Sequence, residues 1–300
     1  MLDDRLTEQR NPRSREIDRL PASEVVRLIN EEDRTVAQAV GKEAEALARG
    51  VQLLVETFRN GGRLFYVGAG TSGRLGVLDA AEMPPTYGTD PEMVQGIIAG
   101  GYEALVRARE GAEDHPEHGA GDVEERGVRA GDFVLGIATS GSTPYVHGAL
   151  ARARELGART GFLLCTPPSP ELRAAHDLVI APLVGPEVVT GSTRMKAGTA
   201  TKLVLNTLTT GAMVLTGKVW GNLMVDLEVT CAKLQDRAER IVQVTLEMDA
   251  PEARALLERS GGRVKTAIVM HRRGVGRAEA EALLERAGGQ VARVLGEDDG

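Results

Sequence analysis

The sequence predicts an α/β protein: a doubly wound parallel sheet, with helices ahead of it and a small helical appendage behind it. Short, wholly apolar runs alternate with amphipathic stretches through the middle of the chain. Strands covered on both faces read this way, whereas half-exposed strands alternate apolar with polar residues. Glycines and prolines punctuate the junctions.

Residues 1–20 are polar and irregular, and "QRNPRS" reads as an extended arm. From about Ala22 to Arg59 the pattern is helical: Val25, Val26, Leu28 and Ile29 open it, and Leu47, Val51, Leu54, Val55 and Phe58 continue it before "NGGR" stops it. "RLFYVGAG" is a buried strand, and "SGRLGVLDAAEM" a helix stopped by Pro84 and Pro85. "MVQGIIAGG" is a strand, "YEALVRAREGAED" a helix weakening at Gly111, and "DVEERGVRAGD" a short helix with a turn. "DFVLGIATS" is a third strand. "TPYVHGALARARELG" is a helix with Pro144 in its first turn and Gly157 at its stop. "TGFLLCTPP" and "DLVIAPLVG" are further strands, and "STRMKAGTATKLVLNTLTTGAMVLTG" is a long helix rich in small residues. After about Asp249, "LLERSGGRV" and "LLERAGGQV" repeat within short charged helices. The expected division is 1–59 arm and helices, 60–245 sheet domain and 246–300 helical appendage.

The chain has 300 residues, 42% apolar and 26% charged, enough for a soluble globular protein with a sizeable core. Aromatic residues make up 3% and the net charge is −7, which argues against base-stacking platforms and a basic nucleic-acid face. An anionic small molecule stays compatible, because local donors outweigh net charge at a site. Cys165 and Cys231 sit in apolar surroundings and read as reduced core thiols. The first residues lack an apolar signal core and no run reaches membrane-spanning length, so the expectation is a cytoplasmic protein without a membrane partner.

Three hydroxyl-rich turns carry the chemistry: "GTSG" (Gly70–Gly73), "TSGST" (Thr139–Thr143) and "GSTRMKAGT" (Gly191–Thr199). The first two follow predicted strands and open helices, where unpaired backbone N–H groups and the dipole suit a phosphate. Helix capping by serine and threonine explains one such turn, but two at strand ends of one sheet favour a phosphate site. Gly68, Gly70 and Gly73 also spell a dinucleotide fingerprint. That reading requires an acid at the end of the next strand, which ends "IIAGG", and it is rejected. Glu82 has the apolar neighbours Val77, Leu78, Ala80, Ala81 and Met83, which would partly desolvate its carboxyl group. By itself Glu82 reads as an ordinary end-of-helix glutamate, and Glu110, Glu113 and Asp114 as a charged loop. "EDHPEH" invites a metal reading, but Pro116 breaks the helical spacing and no third histidine stands nearby, so no metal is expected.

The stretches "GRLFYVGAGTSGRLGVLDAAEMPPTYG", "EGAED", "TSGSTPYV" and "GPEVVTGSTRMKAGTATKLVLNTLTTGAMVLTGKVWGNLMVD", with "TEQRNPRSREIDRL" and "INEEDRTV" near the start, resemble the N-acetylmuramic acid 6-phosphate etherases. The resemblance covers roughly the first 240 residues. It implies the sugar-isomerase (SIS) fold and removal of D-lactate from N-acetylmuramic acid 6-phosphate without metal or organic cofactor. The family's catalytic glutamates fall on Glu82 and Glu113, assigned as proton donor and base respectively. Thr71, Ser72, Ser140, Ser142 and Thr143 are the phosphate candidates, and Ser192, Thr193 and Lys196 the sugar-contact or enolate-stabilising ones. A homodimer is implied. Many family members carry arginine where this chain has Ser142, which puts an anion contact in question. A sugar-phosphate sensor resembling glucokinase regulatory protein, or an aldose–ketose isomerase on the same fold, are the alternatives; the paired glutamates and flanking motifs favour the etherase.

Overall fold

The computed structural model describes residues 5–227 and 232–297. The chain runs α1 (Ala22–Gly41), α2 (Ala44–Arg59), β1 (Leu64–Gly68), α3 (Gly70–Tyr87), β2 (Val94–Ile98), α4 (Glu103–Val106), α5 (Pro116–Glu125), β3 (Phe133–Ile137), α6 (Pro144–Glu155), β4 (Arg159–Leu163), α7 (Pro170–Ala175), β5 (Leu178–Ile180) and α8 (Lys196–Leu215). A two-stranded antiparallel hairpin, β6 (Val219–Trp220) and β7 (Leu223–Met224), precedes α9 (Ala232–Leu246), α10 (Ala250–Arg259), α11 (Val264–Arg273), α12 (Arg277–Arg286) and α13 (Val291–Leu295).

β1 to β5 form a parallel sheet in the order β2-β1-β3-β4-β5. The doubly wound α/β class is therefore present. Every residue of β1, β3 and β5 is buried, because helices cover both faces and leave no polar side to the strand. Phe65, Val67, Val134, Tyr145, Val146, Leu150 and Phe162 belong to one core cluster of this sheet. The chain leaves β1 for one edge and returns with β3 on β1's other side. The topological switch point thus lies between β1 and β3, at whose carboxyl ends such sheets bind ligands.

Contacts divide the chain differently from the three segments expected. One compact unit is Met1–Ala81 with Glu92–Thr209, and the other is Glu82–Pro91 with Thr210–Gly300. The second unit has its own core, including Val242, Leu256, Leu257, Val264, Ile268, Leu284 and Val291. The two repeat copies fold alike: a helix ends in Leu-Leu-Glu-Arg, two glycines with positive φ reverse the chain, and a valine opens the next helix. Only a residue without Cβ adopts consecutive positive φ values cheaply.

Several expectations need correction. The N-terminal arm is not extended: it folds into 3₁₀ turns at Leu6–Glu8, Pro12–Ser14 and Ile17–Arg19. It is tied down by Asn11 Nδ2 donating to Glu32 and by Ser14 Oγ donating to the Val188 carbonyl at 2.7 Å. α3 does not stop at the prolines but runs through Pro84 and Pro85 to Tyr87. Each proline removes one N–H, yet the ladder resumes with Gly88 N donating to Pro84 O. The helix expected over "YEALVRAREGAED" is only the four residues of α4. Cys165 is buried and free, whereas Cys231 lies outside the described residues. Among the described residues no helix is long and apolar enough to cross a membrane.

Candidate active site

β1 and β3 are neighbours in register, Gly68 beside Ile137, so the loops that follow them leave the sheet side by side. The first loop enters α3 at once, and Thr71 and Ser72 lie in its first turn, where backbone N–H groups have no helical acceptor. The glycines here serve packing. A Cβ on Gly73 would stand 2.6 Å from Ile98 Cγ1 and 2.7 Å from the Gly68 carbonyl oxygen, while Gly70 takes φ +52°. The fingerprint spelling therefore reports how tightly α3 seats on the strand ends. Ser72 is buried and Thr71 partly so.

The second loop turns on Gly141, φ +79°, and presents Ser140 and Ser142 with their hydroxyl oxygens 3.0 Å apart. Thr143 stands at the N-cap of α6 but makes no side-chain capping bond. Capping, the ordinary explanation for a threonine there, does not use this hydroxyl.

The third turn behaves differently. Ser192 and Thr193 lie in tight turns before α8, and the Thr193 carbonyl oxygen and Thr71 Cγ2 would be 3.4 and 3.5 Å from a Cβ on Gly198. The first and third turns therefore meet. Yet the start of α8 is closed to an anion. Glu187, fully buried, accepts from Lys196 N at 3.0 Å and Ala197 N at 2.9 Å. Burial raises the Glu187 pKa, against the two amides and Lys196, which favour its charge. Lys196, expected to touch substrate, is 2% exposed and its ammonium donates to Glu32 at 2.7 Å. Burial opposes ionisation of Glu32, but Lys196, Asn11 and Arg13 outweigh it and lower its pKa.

Glu113 lies in a 3₁₀ turn, Ala112–Asp114, entered through Gly111 at φ +73°. It lines a cavity of about 170 Å³ with Ala69, Gly70, Arg74, Arg109 and Glu110, at the carboxyl ends of β1 and β2. Arg74 donates to the carbonyls of Ala104 and Leu105, and Arg109 pairs with Glu103. After the turn, Gly119 of α5 lets the backbone approach Tyr145 of α6. Glu82 lies three turns into α3, in the other compact unit, and is not among the residues lining this cavity. The expectation that its neighbours desolvate it is corrected: Glu82 is exposed, as are Leu78 and Ala81 on the same helix.

Sequence reasoning missed Arg74 and Arg109, whose roles depend on backbone carbonyls and on loop placement. It also missed Asp79, which accepts from Tyr66, Asn206 and Thr209. Burial raises the Asp79 pKa despite those donors. Pro116 does not break the helical spacing, since it is the first residue of α5. His115, Glu117 and His118 come together there, ligand atoms within 4.8 Å of one another and all exposed. A helix start is electrostatically unfavourable for a cation.

A parallel sheet of this order, with hydroxyl-bearing turns at the carboxyl ends of β1 and β3, places the chain among the doubly wound α/β proteins. The family model of the glucokinase regulatory protein N-terminal SIS domain matches residues 46–154. N-acetylmuramic acid 6-phosphate etherase of Symbiobacterium thermophilum is 57% identical over 270 residues, 90% of this chain and 89% of that one. The enzyme of the same name from Photorhabdus laumondii is 53% identical over 274 residues, 91% of each. Among solved structures, a phosphoheptose isomerase from Neisseria gonorrhoeae matches 63% of this chain and 96% of its own, at 21% identity and TM-score 0.47. The chain belongs to the N-acetylmuramic acid 6-phosphate etherase family, whose members are carbon–oxygen lyases.

Proposed function

We propose that this chain cleaves the D-lactyl ether of N-acetylmuramic acid 6-phosphate, giving N-acetylglucosamine 6-phosphate and D-lactate in cell-wall amino-sugar recycling in the cytoplasm. In the open-chain aldehyde the carbonyl acidifies the proton on carbon 2, and the lactyl ether on carbon 3 is a β leaving group. Glu113 takes the carbon 2 proton; the electron pair forms the carbon 2–carbon 3 double bond as the carbon–oxygen bond breaks. Glu82 protonates the departing ether oxygen. Water then adds at carbon 3 and a proton returns to carbon 2. The carbonyl supplies the acidification, so the steps require no metal or organic cofactor. Thr71, Ser72, Ser140, Ser142 and Thr143 hold the phosphate, and Ser192 and Thr193 contact the sugar. Lys196 acts behind them, anchoring α8 through Glu32.

The observation that carries this reading is that Glu113 and the amide-rich start of α3 line one cavity at the strand ends. A base and an anion-binding helix start then serve one phosphosugar. The functional unit is a homodimer, supported by the apolar Leu78, half exposed on the helix that carries Glu82. A second chain over that face would supply the desolvation that Glu82 lacks in one chain.

The test is incubation with N-acetylmuramic acid 6-phosphate in ¹⁸O-water. Lactate release with solvent oxygen at carbon 3 of the product supports elimination followed by hydration; binding without release would instead identify a sensor. Glu82→Gln and Glu113→Gln should each lower lactate release by about 10²–10⁴-fold with the thermal midpoint kept. Near-normal turnover in either variant removes that residue from the mechanism.

A further inference from the structure

We propose that Arg5, from the N-terminal arm, is a substrate-binding residue whose guanidinium holds an anionic oxygen group of the phosphorylated sugar beside the loop that follows β3. The inference rests on the phosphosugar reading above. Arg5 Nη1 donates to Ser142 Oγ at 2.7 Å, and that oxygen is 3.0 Å from Ser140 Oγ. Arg5, Ser140, Gly141, Thr166 and Ser169 line a cavity of about 420 Å³ at the carboxyl ends of β3 and β4. The other described residues lining it are neutral. Arg5 and the hydroxyl-bearing Ser140 and Ser169 thus line one recess, in a chain whose net charge is −7. Its planar donors match the oxygens of phosphate or carboxylate.

The arm is placed firmly enough for this role. Thr7, two residues on, is 1% exposed, and Asn11 and Ser14 are buried and bonded to other elements. The start of α6 lies in the same loop, and Thr143 leaves its hydroxyl out of the helix cap. Cation, hydroxyls and helix dipole therefore favour the same charge sign.

The substrate offers two such groups, the 6-phosphate and the lactyl carboxylate. One charge-assisted contact is worth roughly a 10–100-fold change in affinity. Arg5→Ala should raise KM for N-acetylmuramic acid 6-phosphate by about that factor and leave kcat within about threefold, with Arg5→Lys intermediate. N-acetylglucosamine 6-phosphate, which has the phosphate but no lactyl group, separates the sources. A parallel rise in its inhibition constant assigns Arg5 to the phosphate, and an unchanged one assigns it to the carboxylate. An unchanged KM in Arg5→Ala, or a loss confined to kcat, overturns the proposal. Calorimetric titration of both sugars into Glu113→Gln protein, with and without Arg5→Ala, repeats the comparison without turnover. Absence of lactate release would then sink the etherase reading while Arg5 is still judged by its dissociation constants.

Discussion

A buried ammonium persists in a protein interior only where an anion is brought to it, and Glu32 does this for Lys196. Asn11 and Arg13 satisfy the rest of that carboxylate, so the pair ties the arm, α1 and the start of α8 into one network. Sequence alone leaves such a lysine open between surface, ligand and ion pair, because its partner is 164 residues away. The opposite case is His176. Its Nδ1 is 3.0 Å from Thr160 Oγ1 and its ring lies beside Phe162. Burial, with the nearby charges of Arg154 and His147, pushes its pKa down from 6.5 to about 4. The unfolded chain therefore binds a proton between those values that the folded chain refuses. Stability is present above pH 6.5 and drains away as the pH falls towards 4. Urea midpoints at pH 7 and pH 5 should fall further for wild type than for His176→Gln; equal losses would show that the histidine carries no such linkage.

At the scale of elements, Gly111 has the most consequence for the site. Its φ of +73° starts the turn that presents Glu113, and a Cβ there would meet only Asp114 Oδ2 at 3.9 Å. Gly111→Ala is thus a conformational change with no steric clash. It should cost about 1 kcal/mol of stability through the left-handed backbone. If Glu113 is the base proposed above, activity should suffer more, roughly 10- to 100-fold in kcat, because a reacting carboxylate tolerates little displacement. Full activity with reduced stability would mean that the turn does not position Glu113. Strands and long helices were legible because apolar runs and 3.6-residue periodicity follow directly from burial. The segment around Glu113 was not. "YEALVRAREGAED" has helical composition, yet Arg107 at the C-cap of α4 is extended and Gly111 is left-handed. Pro84 and Pro85 misled in the other direction, since a helix that resumes beyond them tolerates the missing donors.

For the whole molecule, alternation of strand and helix foretold the parallel sheet. The order β2-β1-β3-β4-β5 is set by crossovers that no local pattern encodes. The hydroxyl turns after β1 and β3 could be quoted from the sequence, but their adjacency follows only from that order. Assembly belongs at this scale too. Val26 is 59% exposed and Leu78 50%, large values for aliphatic side chains on well-formed helices of one unit. Scattered apolar residues are ordinary on a protein surface, but Leu78 and Ala81 are exposed together beside Glu82, the acid proposed above. If a second copy covers them, light scattering should give twice the 31.9 kDa of one chain at micromolar concentration. Leu78→Asp should shift the mass towards one chain and lower lactate release with it, because Glu82 would return to water. A wild-type protein that is monomeric and fully active would remove the second chain from the mechanism and leave Glu82 to act as a solvated acid.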